Sequence, residues 1–134
     1  MPTKKLAIVT YGCQMNKYDS ERIVGLLQQA DYELTEDLER AHLVLLNTCS
    51  VREKAEQKFY SELGHLKRLK RQRPEMLIGV CGCIPQRARG EILARAPYVD
   101  LVFGTLNVSR VLDLVRQVEE QHQPVLEISD TVLD

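Results

Sequence analysis

The 134 residues, 44% hydrophobic and 28% charged, have the balance of one soluble globular domain with a single sizeable core. A net charge of −1 excludes a global electrostatic pull toward polyanions, so any nucleic-acid contact has to be local. No apolar run reaches the length of a membrane span, and Met1-Pro2-Thr3-Lys4-Lys5 leads straight into a strand-like run, too short for a signal peptide; the expected location is cytoplasmic, without membrane contact.

Leu6 to Tyr11 is a continuous apolar, β-branched run of the kind buried on both faces of a sheet. Its turn is Gly12 to Tyr18. Asp19 or Ser20 is placed to cap a helix in which Ile23, Val24, Leu26 and Leu27 repeat at helical spacing, ending near Ala30. Tyr32 to Thr35 reads as a short second strand and Asp37 to Ala41 as a brief polar helical turn. His42 to Asn47 is another buried-strand run, closed by Thr48 and Cys49. From Glu53 to Arg71 a long helix carries Ala55, Phe59, Leu63, Leu66 and Leu69 on or near one face, with Pro74 as its stop. Met76 to Val80 is the fourth strand, and Pro85 or Gln86 opens a helix through Ile92 and Leu93. Val99 to Phe103 is the fifth strand. Asn107 or Ser109 caps a helix through Val118, and Val125 to Ile128 supplies a last strand at an edge. With no Trp and two Phe, the core has to be built mostly of Leu, Val, Ile and Ala.

Strands alternating with helices predict right-handed crossovers and a mainly parallel sheet, hence a three-layer α/β sandwich of Rossmann-like or flavodoxin-like architecture. No internal repeat or glycine-serine linker divides residues 1–128, and residues 129–134 read as a polar exit.

Three cysteine-bearing turns follow directly on strand-like runs: Tyr11-Gly12-Cys13-Gln14-Met15-Asn16, Asn47-Thr48-Cys49-Ser50-Val51-Arg52 and Gly79-Val80-Cys81-Gly82-Cys83. In a parallel sheet the residues just past each strand share one rim, so these thiols converge at the carboxyl edge. Soft sulfur ligands gathered there suit iron, zinc or a cluster. Four cysteines in a cytosolic chain read as ligands or reactive thiols rather than as a disulfide framework. Burial of cysteine as a small apolar residue explains one such position easily and three badly. The paired Cys-x-x-Cys knuckles of a structural zinc site are absent, although a closed four-thiolate site using both Cys81 and Cys83 stays open as an alternative. Cys81 lies at the strand end and Cys83 in the turn behind Gly82, which makes Cys83 the better placed of the two. Three thiolates leave one position of a four-iron cluster open to an exogenous sulfur or substrate group. A module of flavodoxin-like shape that binds a nucleotide or a partner is the competing reading, weakened by the lack of a Gly-x-Gly-x-x-Gly turn after the first strand.

The segments Val9 to Asn16 with Asp19-Ser20-Glu21, Asn47 to Arg52, and Gly82-Cys83 with Gln86 together resemble the amino-terminal domain of the radical-SAM methylthiotransferases. The similarity runs from Lys5 to Val118. Gln14-Met15-Asn16, and Asn47 to Arg52 followed by Glu53-Lys54-Ala55, are most similar to the branch that methylthiolates isopentenyl-adenosine beside the anticodon of tRNA. The resemblance implies an auxiliary [4Fe-4S] cluster held by Cys13, Cys49 and Cys83, its open iron taking part in sulfur or methylthio transfer. It further implies a second [4Fe-4S] cluster that cleaves S-adenosylmethionine in a following radical-SAM domain, and a small carboxyl-terminal domain that helps bind tRNA. No Cys-x-x-x-Cys-x-x-Cys occurs here, so the expectation is a cluster domain over 1–128, the start of a linker over 129–134, and no turnover by this chain alone.

Gln14, Asn16, Asn47, Arg52 and Gln86 are the expected lining of the site. Asn16 and Asp19 are also suited to fixing the first turn by side-chain hydrogen bonds, and Gly104 lies in a loop on the same rim. Lys67, Arg68, Lys70, Arg71 and Arg73 form a basic cluster at a helix end, read first as a solvated face complementing the helix dipole and second as a contact for RNA phosphate. His42, His65 and His122 lie away from the cysteine turns. Apolar surface near the rim makes a dimer of the domain an expectation to test.

Overall fold

The computed structural model of the chain describes residues 4–11, 14–48, 53–88 and 90–128, without the side chains of residues 14–16, 53–56 and 86–88. Six strands, β1 (Lys4–Thr10), β2 (Tyr32–Leu34), β3 (Leu43–Thr48), β4 (Leu77–Gly82), β5 (Leu101–Phe103) and β6 (Val125–Glu127), form one sheet in the order β2-β1-β3-β4-β5-β6. Every pairing is parallel. The helices are α1 (Gln14–Gln28), α2 (Glu53–Gln72), α3 (Cys83–Ala88), α4 (Glu91–Arg95) and α5 (Val111–Gln121), with a 3-10 helix over Thr105–Arg110. This is the expected three-layer α/β sandwich, with the flavodoxin-like order over its first five strands and a sixth strand added at the edge.

Strand alternation sorts the core onto two faces. Val44, Leu46, Ile78, Val80 and Val102 meet Phe59, Leu63 and Leu66 of α2 together with Ile84 and Ile92 of α3 and α4. Leu43, Leu45, Cys81, Leu101 and Phe103 meet Ile23 and Leu27 of α1 and Val111, Leu114, Val115 and Val118 of α5. All six residues of β3 are buried, because helices cover it from both sides. Gly79 leaves room on the α1 and α5 face, where an added Cβ would sit 2.3 Å from Leu45 Cδ2.

The sequence expectation of uniformly right-handed crossovers does not hold. α2 connects β3 to its neighbour β4 over one face, whereas α5 connects β5 to its neighbour β6 over the other, so the two connections have opposite hands. The apolar residues Cys81, Leu101 and Phe103 on the α1 side need a cover that α1 alone does not give. The 3-10 helix, which touches α1, carries the chain round to that side before α5 begins.

Several helix starts also differ from the sequence expectation. α1 begins at Gln14 rather than at Asp19 or Ser20, because the Ser20 hydroxyl is engaged with β1 and β3 instead of capping. α3 begins at Cys83, which puts Pro85 within the first helical turn, where its missing N–H costs nothing. Asn107 lies inside the 3-10 helix and is buried, with Nδ2 donating to Glu127 at 3.4 Å, so it does not cap α5. Asp37 to Ala41 forms a turn, with the Glu39 N–H bonded to Asp37 Oδ1 at 3.0 Å. The exit segment 129–134 lies outside the described residues.

Candidate functional site

β1, β3 and β4 are adjacent in the sheet and run in register, Thr10 beside Asn47, Asn47 beside Cys81, and Thr48 beside Gly82. Each is followed by one of the cysteine turns. Three residues join β1 to α1, four join β3 to α2, and none separates β4 from α3. The winding reverses between β1 and β3, since α1 leads to one edge and α2 to the other, and that switch point is where open α/β sheets bind ligands.

Beneath the switch point lies a floor of small polar side chains. Ser20 Oγ of α1 is 2.7 Å from Thr10 Oγ1 of β1 and accepts from Asn47 Nδ2 of β3 at 2.9 Å. The Tyr11 N–H continues the ladder to the Asn47 carbonyl at 2.8 Å. Thr48 Oγ1 donates to the Cys81 carbonyl at 2.8 Å and accepts the Ile84 N–H at 3.1 Å. Ser20, Asn47 and Thr48 are buried, which holds α1, β1 and β3 together through neutral hydrogen bonds in a water-poor setting.

Gly82 is the tight point of this edge. Its φ of +100° lies in the region glycine tolerates, and an added Cβ would stand 2.3 Å from the Thr48 carbonyl oxygen and 2.8 Å from Asn47 Oδ1. A side chain there collides with backbone, so the turn that delivers Cys83 requires glycine. Cys83 is half-buried at the first position of α3. Cys81 is a fully buried free thiol in the core beneath α1 and α5; burial first and the Asp19 carboxylate second push its pKa up. Burial also raises Asp19, an effect that Arg22 opposes.

On the α2 side of the same edge, Val9, Tyr11, Gln57, Lys58, Ser61 and Glu62 line an open cleft of about 660 Å³. Tyr11 packs edge-on against Phe59, ring centroids 6.4 Å apart, and burial together with Glu62 pushes its phenol up to about 12. Tyr11 is thus a neutral wall of the cleft beside the first cysteine turn.

Cys13, Cys49 and Arg52 of the expected site lie outside the described residues, and the side chains of Gln14, Asn16 and Gln86 are likewise not described. Gln14 and Asn16 belong to the first turn of α1 and Gln86 to α3. Asn47 is at the rim as expected, bonded into the floor rather than lining an open surface. Gly104 follows β5 on the same rim. The contributions of Thr10, Ser20, Thr48 and Gly82 were not read from the sequence; the glycine between two cysteines was the available signal. No group of three metal-ligating side chains occurs among the described residues, which contain neither Cys13 nor Cys49. The basic cluster lies at the opposite edge: Lys70 pairs with Asp100 just ahead of β5, Arg73 with the Glu39 carbonyl, and Lys67 stands over the Tyr98 ring.

The fold and this edge define a class, a parallel α/β domain of flavodoxin-like winding with its candidate site at the carboxyl rim. The family model described as "Uncharacterized protein family UPF0004" matches residues 5–104, and the chain belongs to that family. A protein of Idiomarina loihiensis named tRNA-2-methylthio-N(6)-dimethylallyladenosine synthase is 48% identical over 128 residues, which are 95% of this chain and 27% of the relative. Proteins of the same name from Syntrophotalea carbinolica and Bacillus pumilus are 48% and 45% identical, over 87% and 93% of this chain and 26% and 25% of the relatives. The chain therefore spans about a quarter of the length of these curated relatives and matches their amino-terminal part.

Proposed function

We propose that the chain is the auxiliary-cluster domain of a tRNA-modifying methylthiotransferase that acts on isopentenyl-adenosine beside the anticodon. The observation that carries the reading is the adjacency of β1, β3 and β4, whose carboxyl ends lead directly into Cys13, Cys49 and Cys83. The donor set fits a [4Fe-4S] cluster: three thiols follow three neighbouring strands, while Cys81 is turned into the core. A cluster bound there supplies an open iron for a sulfur or methylthio group. The chain's own part is to hold the thiolates on a rigid rim. α1 and α2 would also present their amino-terminal ends to an anionic centre, and the Tyr11 cleft would border it.

The relatives' names support tRNA as substrate. Because the chain carries no Cys-x-x-x-Cys-x-x-Cys, the reading assigns the second cluster, S-adenosylmethionine and radical formation to a domain outside residues 1–128, with 129–134 opening the linker. The reading includes a cytoplasmic location, where tRNA is modified; among the described residues no helix is long and apolar enough to cross a membrane. Self-association of the isolated chain is a further part of the proposal.

Anaerobic reconstitution with iron and sulfide tests it. Brown protein with about four irons per chain is expected, lost when Cys13, Cys49 or Cys83 becomes Ala and retained in Cys81→Ala. Equal dependence on Cys81 overturns the ligand set. Stoichiometric zinc, or tight flavin or nucleotide binding with no iron taken up, overturns the cluster reading in favour of a structural metal site or a nucleotide-binding module.

A further inference from the structure

The fold divides the basic cluster of residues 67–73. Lys70 is tied to Asp100 and Arg73 to the Glu39 carbonyl, and both are partly buried. Lys67, Arg68 and Arg71 are exposed, and among the described residues none of them has a carboxylate partner. A fourth cation joins them from another element. Arg95 of α4, exposed and likewise without a carboxylate partner among the described residues, lies over the Tyr60 ring of α2 with its guanidinium carbon 3.7 Å from the centroid. Lys67 in turn stands over the ring of Tyr98, which follows α4, at 5.7 Å. An aromatic ring holds a cation without using its N–H donors, so both side chains are positioned with donors to spare.

Tyr60, Gly64, Lys67 and Arg71 follow one another at helical spacing and so share one face of α2. Gly64 is exposed in the middle of this 20-residue helix, and a Cβ added to it meets nothing within 4 Å. No packing requires a glycine there, and glycine weakens a helix interior. It leaves bare backbone between the Tyr60–Arg95 stack and Lys67, where a partner can approach the helix closely. Glu62 of the same helix lines the Tyr11 cleft.

We propose that this face of α2 and α4 is an interface for the sugar–phosphate backbone of RNA, with Lys67, Arg68, Arg71 and Arg95 contacting phosphates. The choice of RNA rests on the function proposed above; the charge pattern alone requires a polyanion. Contacts of this kind anchor a nucleic acid and read no sequence. The competing role is a solvated face, whose cations complement the carboxyl end of α2 and whose ring contacts serve stability.

Fluorescence anisotropy of a labelled RNA hairpin, titrated with the iron-free chain over a range of salt concentrations, decides between them. Lys67→Gln, Arg71→Gln and Arg95→Gln should each weaken binding about fivefold at low salt and lower the slope of log K against log salt by about one. Arg95→Lys keeps the charge and should keep the slope. Arg116→Gln, the same charge change at an exposed position of α5 in the other helical layer, should stay within about twofold. Gly64→Gln should raise the thermal midpoint and yet weaken binding about threefold, a combination that a solvated face does not produce. No hairpin binding by the parent chain overturns the proposal, as does equal weakening by Arg116→Gln. Loss of stability in the three Gln variants with an unchanged salt slope overturns it too. Tighter binding of poly-glutamate than of the hairpin overturns it in favour of an acidic protein partner. Failure of the chain to take up iron overturns the cluster reading alone, and RNA binding by the iron-free protein then decides the interface.

Discussion

The amino edge of the sheet and the ends of β1, β3 and β4 at the carboxyl edge are built from different chemistry, the charged Arg110–Glu127 pair of the carboxyl edge lying apart from them at β6. At the amino edge, charged side chains pair across a cleft of about 430 Å³: Lys4 with Glu119, to which the Tyr32 hydroxyl also donates, and Lys70 with Asp100. At the carboxyl edge, the side chains of the described floor are neutral and small, Thr10, Ser20, Asn47 and Thr48, packed round Gly82. Partly exposed ion pairs close an edge at small net gain and tolerate change. Buried neutral hydrogen bonds and a glycine with no room for a Cβ fix backbone positions and do not. At the carboxyl edge the ends of β1, β3 and β4 are fixed by buried contacts.

The contrast predicts a graded series. Gly82→Ala should be the most damaging single change, about 3 kcal/mol or more, because it combines an unfavourable φ with a collision against the Thr48 carbonyl. Urea unfolding of the iron-free protein measures it, and a loss under 1 kcal/mol would mean that the turn relaxes freely. Ser20→Ala should cost about 1–2 kcal/mol, since Thr10 Oγ1 and Asn47 Nδ2 both lose that partner in a buried site. The loss should be insensitive to salt. Lys70→Met should change stability by no more than about 1 kcal/mol, and what is lost should shrink in high salt. Asp100 keeps the Ile78 N–H at 2.9 Å after that change, so its carboxylate is not stranded. A larger effect at Lys70 than at Ser20 would erase the distinction between the edges.

The apolar runs made the strands legible, because β3 and β4 sit between two helical layers and need no polar alternation. The junction at Cys83 was legible for the same reason, since it punctuates such a run, whereas Cys13 and Cys49 lie outside the described residues. Helix starts were harder to read. Ser20 has the composition of a cap, and a cap competes with any other use of the hydroxyl; here hydrogen bonds to Thr10 and Asn47 win, residues 10 and 27 positions away. Asn107 misled in the same way, its amide being drawn to Glu127 on β6. Chirality was misjudged at β6, where the rule for one βαβ unit gave way to the need to cover Leu101 and Phe103 on the α1 face.

By itself the sequence determined the alternation of strand and helix and the parallel α/β class, since these depend on local apolar runs and turn residues. Tertiary structure alone decided that β1, β3 and β4 are neighbours, that Cys81 enters the core, and that Thr48 reaches across to the turn of Cys83. Strand order and the partners of a buried hydroxyl are properties of contacts between distant segments, and no local pattern encodes them.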